Sequence, residues 1–183
     1  MLLVYIALGA NLPSPAGPPD ATLAAALEQI ATLGRIAACS SLYSTAPVGF
    51  ADQPRFLNAV IALETDLAPR PLLDALLSIE RSFGRDRSAS VPNGPRALDL
   101  DILLYGDLIF SEPALEIPHP RLAERAFVLV PLAEIAPDLR VPHSGLTAAQ
   151  LLANLHPRAD AGTVVPFKSR RWPTEVGSAS NEG

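Results

Sequence analysis

Residues 2–8 (LLVYIAL) form an unbroken apolar run that stops at Gly9, the pattern of a buried strand. After a proline-rich loop at 13–19, Leu23, Leu27, Ile30 and Leu33 recur at helical spacing, with Asp20 as the expected N-cap and Gly34 as the stop. Residues 36–43 and 56–64 read as two further strands. The stretch between them is too rich in turn formers for either element, and a loop of that length inside a compact domain is more often functional than idle. A helix is predicted over 69–83, with Leu73, Leu76 and Leu77 on one stripe whose continuation reaches Glu80, a carboxylate on or beside the buried face. Residues 84–95 form a polar loop and 98–105 a fourth strand, closed by a turn at Gly106 and Asp107. Prolines make 116–120 extended, and 121–136 is mostly helical, with Pro131 expected to restart a helix at its first turn. Beyond 167 the chain is polar without apolar periodicity, so residues 1–167 are expected to form the domain and 168–183 a disordered tail.

The order strand, helix, strand, strand, helix, strand, helix is the split β-α-β pattern of a ferredoxin-like α+β domain. It implies an antiparallel sheet of about four to six strands with helices packed on its faces. With 183 residues, 49% of them hydrophobic, the chain suffices for one core. The net charge of −5 argues against a general nucleic-acid surface. No apolar run approaches the ~18 residues of a membrane span, and the N-terminus lacks the basic lead of a signal peptide. A single cysteine, Cys39, fits a reducing compartment, so a cytoplasmic protein is expected. Against the acidic total, Arg81, Arg85, Arg87 and Arg96 lie within one short segment and give it local positive potential.

That segment leads into NGPRALDLDILLYGD (93–107), which sets Asp99 and Asp101 in a run of Leu, Ile and Tyr. Residues i and i+2 of a strand share a face, so both carboxylates project together, with Cα atoms roughly 6.6 Å apart at about 3.3 Å per residue. Such a pair can hold hard cations, including two ions. A half-exposed strand with an acidic solvent face would read the same from Asp-x-Asp alone. Leu103 and Tyr105, however, continue that face as apolar residues, and Arg96, Arg85 and Arg87 stand beside it with forks suited to phosphate oxygens. Acids for metal and arginines for phosphate suggest a magnesium-nucleotide site.

Other residues carry weaker signals. His119, between two prolines, is either a phosphate donor or polar surface. Asn58, in an apolar strand, must satisfy both ends of its amide, through turn or backbone bonding or through a heterocycle with paired donor and acceptor edges. Phe56 and Phe127 can sandwich a flat ring or simply belong to the core. There is neither a Walker-type loop nor a Cys/His cluster suited to zinc.

Taken in order, YIALGANL (5–12), TAPVG (45–49), DQPRFLN (52–58), Ile79-Glu80, GRDR (84–87), GPRALDLDI (94–102) and PHP (118–120) resemble the hydroxymethyldihydropterin pyrophosphokinases. The resemblance implies a ferredoxin-like enzyme that transfers diphosphate from ATP to the hydroxymethyl group of a reduced pterin, with two Mg²⁺ ions and release of AMP. By position it makes Asp99 and Asp101 metal ligands, with Arg85 and Arg96 also in catalytic roles. Glu80, Arg85, Arg87, Arg96, Ile102, His119 and Arg125 would hold ATP. Asn58 would pair with the pterin edge, Thr45, Pro47 and Val48 would line its pocket, and Phe56 and Phe127 would cover its two faces. The loops at 45–54 and 84–95 are expected to exclude water. Partners would be small molecules only, with no nucleic acid or membrane, and a monomer is expected. Pro92-Asn93 stands where the family commonly has Arg-Trp or Arg-Asn, so one phosphate-contacting arginine is missing there. Two other readings of the acidic strand, a nucleotidyltransferase and a non-enzymatic RNA-binding sheet, differ in what they release or in the stacking aromatics they need.

Overall fold

The computed structural model describes residues 1–49, 52–85, 92–155 and 164–173. The first apolar run becomes β1 (Leu2–Ala10), and its central residues are buried because both sheet faces are covered. It is followed by α1 (Pro19–Ile30), β2 (Arg35–Cys39), β3 (Leu42–Thr45), β4 (Phe56–Thr65) and α2 (Pro69–Ser82). Then come β5 (Asp99–Tyr105), the short strands β6 (Phe110–Glu112) and β7 (Leu115–Ile117), α3 (Ala126–Ile135), α4 (Ala148–Asn154) and β8 (Val165–Phe167). The six-stranded sheet runs β5-β1-β4-β3-β8 with β2 also on β4, and every pairing is antiparallel. Taken together, β2 and β3 make the second strand of the expected split β-α-β order.

One face of the sheet packs on α1 and α2 through Val4, Ile6, Leu8, Leu23, Ile30, Leu72, Leu76 and Ile79. The other packs on α3 and α4 through Tyr5, Val60, Leu103, Val128, Leu129, Leu132 and Leu151. The buried stripe of α2 is thus Leu72, Leu76, Ile79 and Glu80, one residue round from the expected Leu73 and Leu77.

Several expectations are corrected. The single strand over 36–43 is broken at Ser40 and Ser41. The Ser40 hydroxyl accepts from the Val60 N–H at 3.0 Å, and Glu134 of α3 accepts from the Ser41 N–H and hydroxyl, so side chains take over from the ladder there. Asp20 is not an N-cap, since α1 starts at Pro19 and Pro18 precedes it. Gly34 is not the helix stop either. It stands where an added Cβ would lie 2.1 Å from the Glu64 carbonyl oxygen, so close backbone approach requires glycine. Pro131 lies inside α3 rather than restarting a helix, and the preceding turn at Leu122–Glu124 is a separate 3₁₀ helix. The extended 116–120 contributes to a β6-β7 hairpin, and α4, with its Thr147 and Gln150 capping box, was not foreseen.

The face of β5 also changes along its length. Ile6 pairs with Ile102 but Tyr5 with Leu104, so Leu103 is an extra residue in a β-bulge. Leu103 and Leu104 consequently face α3, and Tyr105 turns to the opposite side, where its hydroxyl donates to the Leu67 carbonyl. Tyr105 therefore does not continue the Asp99 and Asp101 face.

The near end of the expected tail is ordered. Trp172 is buried with its indole N–H donating to the Ser40 carbonyl at 2.8 Å, and Asp20 accepts from Ser169 and Arg171, while β8, just before the tail, pairs with β3. Residues 174–183 lie outside the described residues. Truncating a buried aromatic leaves a cavity, so Trp172→Ala should cost about 3–5 kcal/mol of unfolding free energy. Urea denaturation checks this, and an unmoved midpoint would show that the C-terminal segment contributes nothing to the fold.

Candidate active site

The pairing register builds the site before any side chain is placed. Gly9 of β1 lies opposite Asn58 of β4 on one side and Asp99 of β5 on the other, and Ala7 lies opposite Val60 and Asp101. Directly paired residues share a face. Asn58, Gly9 and Asp99 thus form one row across three strands, on the α3 face, with Asn58 and Asp99 about 10 Å apart at two strand spacings. Glycine leaves room there, because an added Cβ would stand 2.9 Å from Asn58 Oδ1 and would push that amide out of place.

Over this row opens a cavity of about 660 Å³. Of the residues expected in the site, Thr45, Val48, Phe56, Asn58, Arg85, Arg96, Asp99, Asp101, His119, Arg125 and Phe127 line it. Three do not. Pro47 sits between the lining residues Ala46 and Val48 without joining the wall. Ile102 is buried in the core on the α2 side of the sheet. Glu80 is buried behind β5, where its carboxylate accepts from the Leu100 N–H at 2.8 Å and from Arg85 at 3.4 Å. Arg87 lies outside the described residues. Ala7, Gly9, Asn93 and Arg121 also line the cavity. Gly9 and Asn93 fall within or beside the quoted motifs, but only the register shows what they face.

Charged and aromatic side chains are interleaved along the wall. Arg85 bridges Glu80, the Leu98 carbonyl and Asp99, and Arg96 reaches Asp99 at 3.2 Å. The Nε–H of Arg85 and of Arg96 is buried with no hydrogen-bond partner among the described residues, a donor that an incoming anion would satisfy. Arg96 also lies over the Phe56 ring at 5.3 Å, and Arg125 over Phe127 at 5.5 Å, so each aromatic already carries a cation. Arg125 is the extended residue between the 3₁₀ turn and α3, and that break in the helix turns it toward the cavity wall. Asn58 donates to the Thr45 hydroxyl at 2.6 Å.

His119 is held neutral. Burial first, and then the Arg125 charge, push its pKa down to about 4; Asp99 opposes them, and Arg121 adds a smaller lowering. Its Nδ1 accepts from the Arg121 N–H at 3.1 Å, so the ring proton sits on Nε2 as a donor suited to a phosphate oxygen. The folded value lies below the ordinary 6.5, so acidification protonates the unfolded chain first. The stability His119 contributes is complete above about 6.5 and is lost as pH falls toward 4. An NMR titration of the ligand-free protein should place the His119 midpoint near 4. A midpoint near 6.5 would show an open, solvated ring.

Among the described residues no three His, Cys, Asp or Glu side chains cluster. Two carboxylates on one strand face therefore suit an ion that takes one or two protein oxygens and completes its shell with phosphate and water, which is how magnesium binds. Paired acids, arginines with unmet donors and two aromatic side chains line one cleft of an α+β sheet, a combination suited to phosphoryl transfer onto an acceptor with a flat ring.

Comparison with known proteins narrows this class. A family model described as 7,8-dihydro-6-hydroxymethylpterin-pyrophosphokinase matches residues 5–137, and the chain belongs to that family. The chain is 51% identical to the 2-amino-4-hydroxy-6-hydroxymethyldihydropteridine pyrophosphokinase of Pseudomonas aeruginosa, over 82% of this chain and 90% of that one. It is 46% identical to the Methylorubrum extorquens protein of the same name, over 86% and 96%. A crystal structure of wild-type Plasmodium falciparum HPPK-DHPS matches with a TM-score of 0.64 at 16% identity, covering 83% of this chain and 44% of that one. At that identity the match speaks to the fold.

Proposed function

We infer that this chain transfers the terminal diphosphate of ATP to the hydroxymethyl group of 6-hydroxymethyl-7,8-dihydropterin, giving AMP and the pterin diphosphate, a step of folate biosynthesis. The observation that carries the reading is the row Asn58, Gly9, Asp99. It sets a group suited to a heterocycle edge about two strand spacings from a carboxylate pair, with no side chain between them.

In this reading the pterin lies between Phe56 and Phe127, its edge on Asn58, with Thr45, Val48 and Pro47 shaping the surrounding loop. Its hydroxymethyl group then points along the row toward Asp99 and Asp101. Arg85, Arg96, Arg125 and His119 hold the ATP phosphates, and Arg87 is assigned the same role. Glu80 acts from behind, by holding Arg85 and the first turn of β5 in place. Ile102 contributes through the strand it belongs to rather than through its buried side chain.

Asp99 and Asp101 would hold Mg²⁺, two ions in this proposal. When bound, magnesium supplies Lewis acidity toward phosphoryl oxygens and lowers the negative charge that the acceptor hydroxyl must approach. The chain's own work is positional and electrostatic. The aromatic slot and Asn58 align the hydroxyl with the β-phosphorus for in-line attack, and Arg85 and Arg96 stabilise charge on the diphosphate in transfer and on departing AMP. No side chain is assigned as a general base. The chain is taken to act as a monomer in the cytoplasm, and no helix among the described residues is long and apolar enough to cross a membrane.

The test is to supply Mg²⁺, ATP and 6-hydroxymethyl-7,8-dihydropterin and identify the nucleotide formed. AMP in equal amount to pterin diphosphate is expected. ADP would indicate a simple kinase, and free pyrophosphate with a nucleotidylated product would indicate a nucleotidyltransferase.

A further inference from the structure

The slot assigned to the acceptor ring has a wall that comes from outside the 5–137 family match. Val164, Leu155 and Asn154 line the same cavity as Thr45, Phe56 and Phe127. Asn154 and Leu155 stand at the end of α4, and Val164 is the residue before β8. The register shows what Val164 adjoins. Leu42, Tyr43 and Ser44 pair with Phe167, Pro166 and Val165, so one further step sets Val164 beside Thr45, which pairs in turn with Phe56. Paired residues share a face, so Val164, Thr45 and Phe56 form a second row, parallel to Tyr43, Asn58 and Gly9.

The two rows end differently. Tyr43, next to Asn58, does not line the cavity, and its hydroxyl donates to Glu134 at 2.8 Å, so α3 closes that row. The cavity instead turns from Asn58 to Thr45, with Val164 as the wall beyond it. That wall is anchored. β8 pairs with β3, Ser169 and Arg171 donate to Asp20, and the Trp172 indole N–H donates to the Ser40 carbonyl.

A pterin lying between Phe56 and Phe127 turns its pyrimidine edge to Asn58, because that edge carries the donors and acceptors an amide can match. The 2-amino group on this edge points away from the reacting hydroxymethyl group, toward Thr45 and Val164. A bare amino group fits against the wall, whereas an alkylated one meets the Val164 methyl groups.

We propose that Val164 is a specificity-determining residue, which with the end of α4 confines the acceptor slot to pterins unsubstituted at the 2-amino nitrogen. The proposal rests on the function inferred above.

The experiment compares kcat/KM for 6-hydroxymethyl-7,8-dihydropterin and for its N2-methyl derivative, followed as AMP release from ATP and Mg²⁺ by the full chain. The ratio is taken within each variant, so a general loss of activity or of folded protein cancels. The wild-type chain should use the N2-methyl acceptor at least about tenfold less well, the scale of one methyl group against a filled apolar wall. In Val164→Gly the two acceptors should come within about threefold of each other, and in Val164→Phe the N2-methyl acceptor should fall at least about threefold further behind. Opposite shifts separate a wall from mere support of the fold, and because Val164 is half-buried the test does not depend on a core substitution. A ratio within about twofold of wild type in both variants overturns the proposal, as does a wild-type chain that uses the two acceptors equally. A wild-type chain that releases no AMP with the unsubstituted pterin overturns instead the function on which the proposal rests.

Discussion

Asp99→Ala and Asp101→Ala should each lower turnover at least roughly a thousandfold, the scale on which losing a principal electrostatic contact to the reacting group is felt. Both carboxylates line the cavity on one strand face, and the face is set by a register in which Gly9 and Ala7 oppose them. Asp99 is in addition the meeting point of Arg85 and Arg96, so its removal also frees the two guanidinium groups that the proposed function assigns to phosphate. Steady-state rates, with circular dichroism to confirm folding, check the expectation. A near-normal rate in either folded variant would sink the metal assignment.

Arg85→Met should strongly destabilise the fold. Arg85 is nearly buried and pairs with Glu80, whose side chain is 1% exposed and which also caps the Leu100 N–H. Removing one partner of a buried pair leaves an uncompensated charge and costs about 3–5 kcal/mol, or about 10 °C of melting temperature in a domain of this size. Replacing both, as Arg85→Met with Glu80→Gln, removes the buried charge while keeping an acceptor for the Leu100 N–H, and should recover much of that stability while leaving the enzyme inactive. Thermal melts of the two variants decide it. A double variant no more stable than the single would mean that the pair is not what Arg85 stabilises.

Where local pattern and tertiary demand agree, the sequence could be read directly. The apolar run at 2–8 and the helical spacing of α1 and α2 each reflect a face the chain must bury. The acidic pair was legible for the same reason, since period-two alternation alone puts Asp99 and Asp101 on one side. Glu80 shows the limit of that logic. Its position on the buried stripe was foreseen, but whether it meets ATP or a neighbouring arginine depends on what packs behind β5. The break at Ser40 has no local cause, because it is imposed by Glu134 and Trp172 from far along the chain. Tyr105 was assigned to the wrong face because a bulge depends on the partner strand. Val164 lay outside the quoted motifs, and it reaches the cavity only because β8 returns to pair with β3, which no periodicity records.

In the proposed reaction one cleft aligns a pterin hydroxyl with the β-phosphorus of ATP. ATP carrying distinguishable isotopes in its α- and γ-phosphates tests it in a single turnover. All γ label is expected in the pterin diphosphate and all α label in AMP. α label in the pterin product, or γ label there without an equal yield of AMP, would contradict it.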